Sequence, residues 1–152
     1  MTPILTSSGI TILARDLASS PWRSAIETLV RARVMNNGIK VSPDRLISRG
    51  EFIKLLSIAH GYTTPVTTVG KKFSDVPKKH SLINYINYGV AMGWINKSNA
   101  RFRPNDTISQ GEIDKLIAVI KKTATGDMVA VASDGVTRGK AASDIVAAFY
   151  SP

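Results

Sequence analysis

A phrase of five residues occurs three times in this chain of 152 residues. It reads as an apolar residue, a hydroxyl residue, Arg or Gln, Gly and a charged residue, at 47–51, 108–112 and 136–140. An internal repeat decides the architecture before any single residue is interpreted, because the copies must bury their apolar faces against one another. The repetition indicates a modular binding or structural protein and argues against an enzyme.

The first two copies belong to two longer units of similar sequence. Ile26 aligns with Ile86 at an offset of 60 residues, and Pro43 aligns with Pro104 at an offset of 61. One residue has therefore been gained in the connecting loop, where insertions are tolerated. The third copy lacks a comparable partner on its N-terminal side, so we interpret it as a reduced unit that has lost most of its first helix.

Each full unit is predicted to fold as helix, loop and helix. Apolar residues recur with helical spacing over 21–35 and over 81–94, which predicts the first helix of each unit. A short additional helix over 10–17 is predicted to fill part of the gap left by the reduced unit.

The second helices have strong start signals. Ser48 and Ser109 each open a Ser-x-x-Glu capping box, in which the hydroxyl and the carboxylate both satisfy free backbone amides. These helices are predicted to end near His60 and Lys122. Thr137 caps a last helix, which extends to about residue 150.

The glycine inside each start phrase is unusual, because Gly in a helix costs about 1 kcal/mol relative to Ala. Close approach of another backbone or of a ligand would require it, and so would tight packing at the axis of the repeats, which is our preferred interpretation.

The predicted fold class is all-α, a pseudo-threefold helical bundle built from helix–loop–helix repeats. An N-terminal arm, 1–16, precedes the bundle at 17–152. Within the bundle we expect repeat one, a linker, repeat two and a reduced repeat three, at 17–62, 63–72, 73–124 and 125–152.

Composition sets further bounds. The formal net charge is +9, which favours anionic partners such as cell-wall polymers, lipid head groups, nucleic acid or an acidic neighbouring subunit. The chain has no cysteine, which excludes disulfides, thiolate nucleophiles and cysteine metal sites. It has no apolar run of the roughly 20 residues that a transmembrane helix needs. The N-terminus does not read as a signal peptide, so we expect synthesis without a leader, removal of a leader, or release with a virus particle.

Catalytic and cofactor motifs are missing from the sequence. It contains no nucleophile elbow, no Gly-rich phosphate loop and no carboxylate pair suited to acid–base catalysis. The two histidines lack acidic neighbours at ligand spacing, so neither a metal site nor a cofactor is expected. Nucleic acid is disfavoured as a partner, because the basic residues are not interleaved with aromatic ones.

Unit two resembles an S-layer homology (SLH) repeat almost throughout. Its segments are Phe-Ser-Asp-Val-Pro-Lys-Lys-His at 73–80, Gly-Trp-Ile-Asn at 93–96 and Arg-Phe-Arg-Pro-Asn-Asp-Thr-Ile-Ser-Gln-Gly-Glu at 101–112. The family usually has Phe-Ser-Asp-Val-Pro with His-Trp-Ala, then Gly-Ile-Ile-x-Gly, then Phe-Arg-Pro-Asn and Ile-Thr-Arg-Ala-Glu. Unit one is similar over 21–59, and unit three only over 136–139.

The resemblance implies an SLH-like spindle of three repeats whose grooves bind anionic cell-wall polysaccharide, often with a pyruvate ketal on the sugar. In the family, the arginine of Thr-Arg-Ala-Glu pairs with that carboxylate. Arg49 and Arg138 occupy this position, and Gln110 replaces it in unit two. A guanidinium suits the task because it can fork a carboxylate with two charge-assisted hydrogen bonds. Simple solvation, or pairing with a nearby acid, remains open for both arginines.

The resemblance also implies a tryptophan near the first helix that packs on the sugar. Ser81 stands at this position in unit two, while unit one has Pro21 there and Trp22 one residue later. The departures fall at ligand positions, whereas the scaffold positions persist. This pattern indicates a retained fold in which the usual sugar recognition has weakened or been replaced.

Two functions are therefore expected. The first is a non-catalytic SLH-type module that attaches to anionic cell-envelope polysaccharide at the cell surface. The alternative is a structural subunit of a virion or surface layer, in which the SLH-like fold connects neighbouring protein subunits within an oligomer or assembly. An accessory protein that binds nucleic acid is a weaker third possibility.

Overall fold

The computed structural model describes residues 10–66, 72–95, 98–121 and 135–150. These residues form helices and no named strand, which confirms the predicted all-α class. The helices are α1 (Arg23–Arg31), α2 (Arg49–His60), α3 (Ile83–Ala91), α4 (Gln110–Ile120) and α5 (Arg138–Phe149).

The described residues belong to two compact spatial units, which we number 1 and 2. They differ from units one and two of the sequence, because α2 belongs to the first sequence unit but lies in spatial unit 2. Unit 1 comprises residues 10–46 and 137–150, and α1 packs against α5 within it. Unit 2 comprises the described residues between 47 and 136, and α2 packs against α3 within it. These units are groupings in space, whereas the boundaries of the arm, linker and three repeats remain predictions from sequence.

Each unit has its own apolar core. In unit 1 the core side chains are Leu17, Ile26, Leu29, Val30, Val34, Met35, Val41, Ala141, Ala142 and Ile145. In unit 2 the largest fully buried side chains are Ile47, Phe52, Ile53, Leu56, Ile86, Phe102, Ile108, Ile113 and Leu116. Burial of this apolar surface is the main force that holds the helices together.

The predicted starts of the second helices are confirmed. Ser48 and Ser109 accept hydrogen bonds from the amides three residues later, at 3.1 and 3.0 Å, and both capping boxes are complete. Thr137 caps α5 in the same way, at 3.1 Å. Gly61, with a φ of 129°, ends α2 in a conformation that favours glycine.

Helices α1 and α3 are shorter than predicted. The apolar period continues into Val34 and Trp94, which are buried but lie beyond the helix ends. Arg33 and Gly93 have φ values of 63° and 81°, and this left-handed backbone stops each helix. The prediction from apolar periodicity therefore placed the C-terminal ends of both helices about one turn too late.

The predicted helix over 10–17 is wrong. This segment instead runs beside the loop at 37–41, where the Arg15 amide donates to the Ile39 carbonyl at 2.7 Å. The Leu13 amide donates to Asn37 Oδ1 at 3.0 Å. These two backbone amides bond to the loop at 37–41 and not to carbonyls within a helical turn of the same segment.

Two loops, at 41–42 and at 102–103, are each held by an aspartate. The Asp16 carboxylate accepts from both backbone amides at 41–42, at 3.1 and 2.8 Å. The Asp75 carboxylate accepts from both amides at 102–103, at 2.9 and 2.8 Å. We call each arrangement an aspartate clamp.

The clamps hold strained backbone in place. Ser42 and Arg103 have φ values of 53° and 65°, a left-handed conformation that is costly for a residue with a Cβ. Each residue is one of the two clamped by an aspartate. The recurrence of clamp and strain at matching positions supports the repeat inferred from sequence.

Candidate ligand-binding sites at two helix starts

In unit 1, the start of α5 is fixed to a loop that precedes α2 in the chain. The Arg138 amide donates to the Arg45 carbonyl at 2.8 Å, and the Gly139 amide donates to the Pro43 carbonyl at 2.9 Å. Amides in the first turn of a helix have no partner within the helix, and this loop supplies one.

In unit 2, the start of α2 is fixed in the same way to a different proline loop. The Arg49 amide donates to the Asp106 carbonyl at 2.8 Å, and the Gly50 amide donates to the Pro104 carbonyl at 2.9 Å. Since Pro43 and Pro104 are repeat equivalents, the two units build the same kind of joint from different parts of the chain.

The glycines at these joints are required by packing. A Cβ on Gly139 would lie 2.7 Å from Trp22 Cβ, and a Cβ on Gly50 would lie 2.7 Å from Leu82 Cδ1. Such separations are shorter than real Cβ contacts, so a larger side chain would force its neighbours apart. Tight packing therefore accounts for two of the three glycines, while their predicted place at an axis of the repeats stays a prediction.

Gly111 differs from the other two. It is exposed at the start of α4, and the nearest described atom to an added Cβ is Ser109 Oγ at 3.9 Å. The packing interpretation therefore does not extend to Gly111 among the described residues.

Arg49 is enclosed in unit 2 and has protein partners on several sides. Its side chain is 3% exposed, and its Nη1 donates to the Glu112 carboxylate in a buried ion pair. Its Nε donates to the Phe102 carbonyl at 3.1 Å, and its guanidinium carbon lies 4.9 Å from the centroid of the Phe102 ring. The structure thus places this candidate ligand-binding arginine inside the unit.

Glu112 serves both the buried pair and the cap of α4. Its Oε1 accepts from the Ser109 amide at 3.4 Å, while Oε2 accepts from Arg49. Burial raises the pKa of Glu112 above its ordinary value, although Arg49 and Ser109 act in the opposite direction. The Ser-x-x-Glu motif identifies Glu112 as a capping residue, but no local pattern marks it as the partner of Arg49.

Arg138 and Trp22 lie together at the start of α5. Trp22 is half-buried and covers Gly139, the residue next to Arg138. The Arg138 side chain is also half-buried, and its Nε donates to the Val41 carbonyl at 2.9 Å. The structure therefore brings together two of the candidate ligand residues in unit 1.

The other two candidates lie in unit 2. Ser81 is exposed and precedes Leu82, the residue that covers Gly50 beside Arg49. Gln110 lies at the start of a different helix, α4, where its Nε2 donates to Asp114 Oδ1 at 2.9 Å.

The described residues contain no group of three or more His, Asp or Glu side chains that could hold a metal ion. None of the helices in the described part of the chain combines the length and apolarity that a membrane span needs.

The family model of the S-layer homology domain matches residues 72–113. This match supports the resemblance of the chain to the SLH family. The matched segment contains the Asp75 clamp, helix α3, the Pro104 loop and the capping box of α4. No curated protein and no solved structure matches the chain. An SLH domain indicates a cell-wall or cell-surface binding module, and two of the five candidate ligand residues, Trp22 and Arg138, lie together at the start of α5.

Proposed function

We propose that this protein is a non-catalytic module that attaches to anionic polysaccharide of the cell envelope through the start of α5. The SLH match over 72–113 supports attachment to the envelope. The observation that favours this particular site is the juxtaposition of Trp22 and Arg138. On this proposal the chain has two full repeats and a reduced third, arranged with pseudo-threefold symmetry.

The chemistry of the pair suits an acidic sugar. A guanidinium can donate two parallel hydrogen bonds to a carboxylate, such as that of a pyruvate ketal. An indole ring offers an apolar face on which a sugar ring can pack. Trp22 and Arg138 are both partly exposed, so a surface polymer could reach them without unfolding of unit 1.

The corresponding place in unit 2 is less suited to this ligand. Leu82 covers Gly50 where Trp22 covers Gly139, and Arg49 is enclosed by Glu112 and Phe102. Recruiting Arg49 for a ligand would break a buried ion pair, which typically costs about 3–5 kcal/mol. We therefore assign recognition of the acidic group to unit 1.

The test is equilibrium binding of the purified chain to purified anionic wall polysaccharide. Arg138→Lys keeps the positive charge but removes the planar guanidinium that can donate two parallel hydrogen bonds to a carboxylate. We expect the affinity to fall by about tenfold, which corresponds to about 1.4 kcal/mol. Arg31→Gln, on α1 of the same unit, removes a charge and serves as the control, with an expected change below twofold. Equal affinities for Arg138→Lys and the native chain would contradict the assignment of Arg138.

The connector function within a larger assembly is a second proposal. It is favoured by Arg49, since one arginine at a ligand position of the family is committed to the interior here. Sedimentation of the purified chain across a wide concentration range tests it. Self-association or incorporation into a particle supports the connector, and a monomer at all concentrations that still binds the polysaccharide argues against it.

A further inference from the structure

Two segments of unit 2 form one continuous surface around the Asp75 clamp. The Ser74 amide donates to the Ala100 carbonyl at 2.9 Å, and the Asp75 carboxylate accepts from the two amides at 102–103. Beneath them, the rings of Phe73 and Phe102 lie 5.8 Å apart, centroid to centroid. We call the segments 72–80 and 98–103 together the basic loop pair.

The basic loop pair carries exposed positive charge. Its cations are all exposed, and they are Lys72, Lys78, Lys79, Arg101 and Arg103. The nearby acids are Asp75, 3.6 Å from Arg101 Nε, and Asp106, 2.8 Å from Arg103 Nε. Asp75 is directed inward to the backbone amides, with its side chain 19% exposed, whereas Arg101 is 65% exposed. The surface is therefore positive on balance.

Four of these five cations are not needed to build the loop. Unit 1 forms the same aspartate clamp with Asp16, and Lys40 stands there where unit 2 has Arg101, so the cation beside the clamp recurs. Leu13, however, stands where unit 2 has Lys72, and Ser42 stands where it has Arg103. The stretch 17–20, which corresponds to 76–80, contains no Lys or Arg. Because the scaffold recurs without the equivalents of Lys72, Lys78, Lys79 and Arg103, folding does not account for these four cations.

The basic loop pair lies next to the enclosed arginine of unit 2. The Phe102 carbonyl accepts from Arg49 Nε, and Arg101 and Arg103 flank Phe102 in the chain. Unit 2 thus has its repeat arginine buried and several cations exposed close by. A polyanion at this place would meet surface charges instead of a recessed guanidinium.

We infer that the basic loop pair is a second contact surface for an anionic polymer, distinct from the start of α5. The inference rests on the proposed function for the identity of the polymer, which is the anionic wall polysaccharide. Lysine ammonium groups on flexible side chains can pair with repeated negative charges without a fixed geometry. The affinity of this surface therefore depends on the charge density of the polymer and not on the structure of its sugars. It therefore weakens as salt screens exposed charges.

The test compares two double variants that remove the same charge from unit 2. Lys78→Gln/Lys79→Gln alters the basic loop pair, and Lys115→Gln/Lys121→Gln alters exposed positions on α4 and at its end. Affinity for purified wall polysaccharide is measured from 50 to 300 mM salt. We expect the first variant to bind about fivefold more weakly at low salt with a shallower salt dependence, and the second to change less than twofold. Equal losses in both variants would overturn the inference.

Heparin, used as a second polyanion, separates the two proposals. If the native chain fails to bind wall polysaccharide but the basic-loop variant still weakens heparin binding more than its control, the proposed function fails and the polyanion surface stands. If Arg138→Lys weakens polysaccharide binding but Lys78→Gln/Lys79→Gln does not, the proposed function stands and this inference falls. Tighter binding of a DNA duplex than of either polysaccharide overturns the choice of a wall polymer.

Discussion

The guanidinium of Arg49 is enclosed by two groups that are distant from it in sequence, the Glu112 carboxylate and the Phe102 ring. A charge in this position depends on its partner, because removal of one member leaves the other buried and unpaired. The pair therefore joins the start of α2 to the start of α4 inside unit 2.

We expect Glu112→Gln to lower the free energy of unfolding by about 3–5 kcal/mol, because Gln can keep the capping box but leaves Arg49 without its counter-charge. Chemical denaturation of the purified variant measures the loss. Glu27→Gln is the control, since its exposed pair with Arg23 is expected to contribute less than about 1 kcal/mol. Similar losses in the two variants would show that the buried pair does not hold unit 2 together.

The three repeat glycines should respond differently to one added methyl group. Gly139→Ala forces a Cβ against Trp22, and we expect a loss of about 1–3 kcal/mol from overpacking. Gly111→Ala is the matched control, and it is expected to stabilise the exposed start of α4 by up to about 1 kcal/mol. Thermal and urea denaturation of both variants measure the difference. A stable Gly139→Ala protein would contradict the packing at the start of α5.

At the scale of elements, the aspartate clamps make the two loops sensitive to acid. Burial tends to raise the pKa of Asp16 and Asp75, but hydrogen bonds from the clamped amides outweigh it and lower both pKa values. A carboxyl whose pKa is lower in the folded state stabilises the fold above its unfolded pKa of about 3.9, and this contribution is lost as the pH falls through the folded value.

We expect Asp75→Asn to lower stability at pH 7 by about 1–3 kcal/mol, since hydrogen bonds to a charged acceptor are replaced by weaker ones. The variant should also lose part of the acid dependence below pH 4 that the native protein shows. Denaturation curves at pH 7 and between pH 5 and 2 give both quantities. Asp114→Asn, on the exposed face of α4, is the control. An unchanged acid profile in Asp75→Asn would contradict the clamp.

Helices α2 and α3 are joined near their ends by a cluster of rings that the sequence did not reveal. His60 Nδ1 lies 2.7 Å from the Tyr88 hydroxyl, and its ring contacts Trp94 edge-on at 5.0 Å between centroids. Tyr62 packs against Tyr88, with 5.6 Å between centroids. Burial lowers the pKa of His60, so the neutral ring is favoured in the folded state.

This shift predicts a second pH dependence. A histidine with a lowered pKa stabilises the fold above its unfolded value of about 6.5, and the contribution is lost as the pH falls toward the folded value. Stability should therefore decline between pH 7.5 and 5.5, and His60→Gln should flatten that decline. Thermal denaturation across this range measures it, with Tyr88→Phe separating the hydrogen bond from the ring contact. A decline of the same size in His60→Gln would assign it to other groups.

The parts of this fold that were predicted from sequence are those set by local chemistry. The starts of α2, α4 and α5 depend on residues within one turn, so Ser48, Ser109 and Thr137 were identifiable. The ends of α1 and α3 depend on the left-handed backbone of Arg33 and Gly93, which apolar periodicity does not register.

The candidate site was predicted in part. Resemblance singled out Trp22 and Arg138 separately, and their adjacency required the docking of α5 on the loop at 43–45. The burial of Arg49 required Glu112 and Phe102, which are more than 50 residues away in the chain, and no local pattern encodes such a partner. Threefold symmetry of the repeats remains a prediction.

At the scale of the whole molecule, positive charge is distributed over both units. The described part of unit 1 has eight Lys and Arg against four Asp and Glu, and that of unit 2 has nine against five. Each unit, taken by itself, therefore carries an excess of positive charge that attracts a polyanion. In the proposed arrangement, unit 1 recognises an acidic substituent and unit 2 contributes attraction that depends on salt.

The most direct measurement of the proposed function is binding of the native chain to one wall polysaccharide before and after chemical removal of its acidic substituents. We predict retention of the intact polymer at physiological salt and a loss of at least tenfold in affinity for the treated polymer. Equal binding of the two polymers, or no binding of the intact polymer even at low salt, would contradict it.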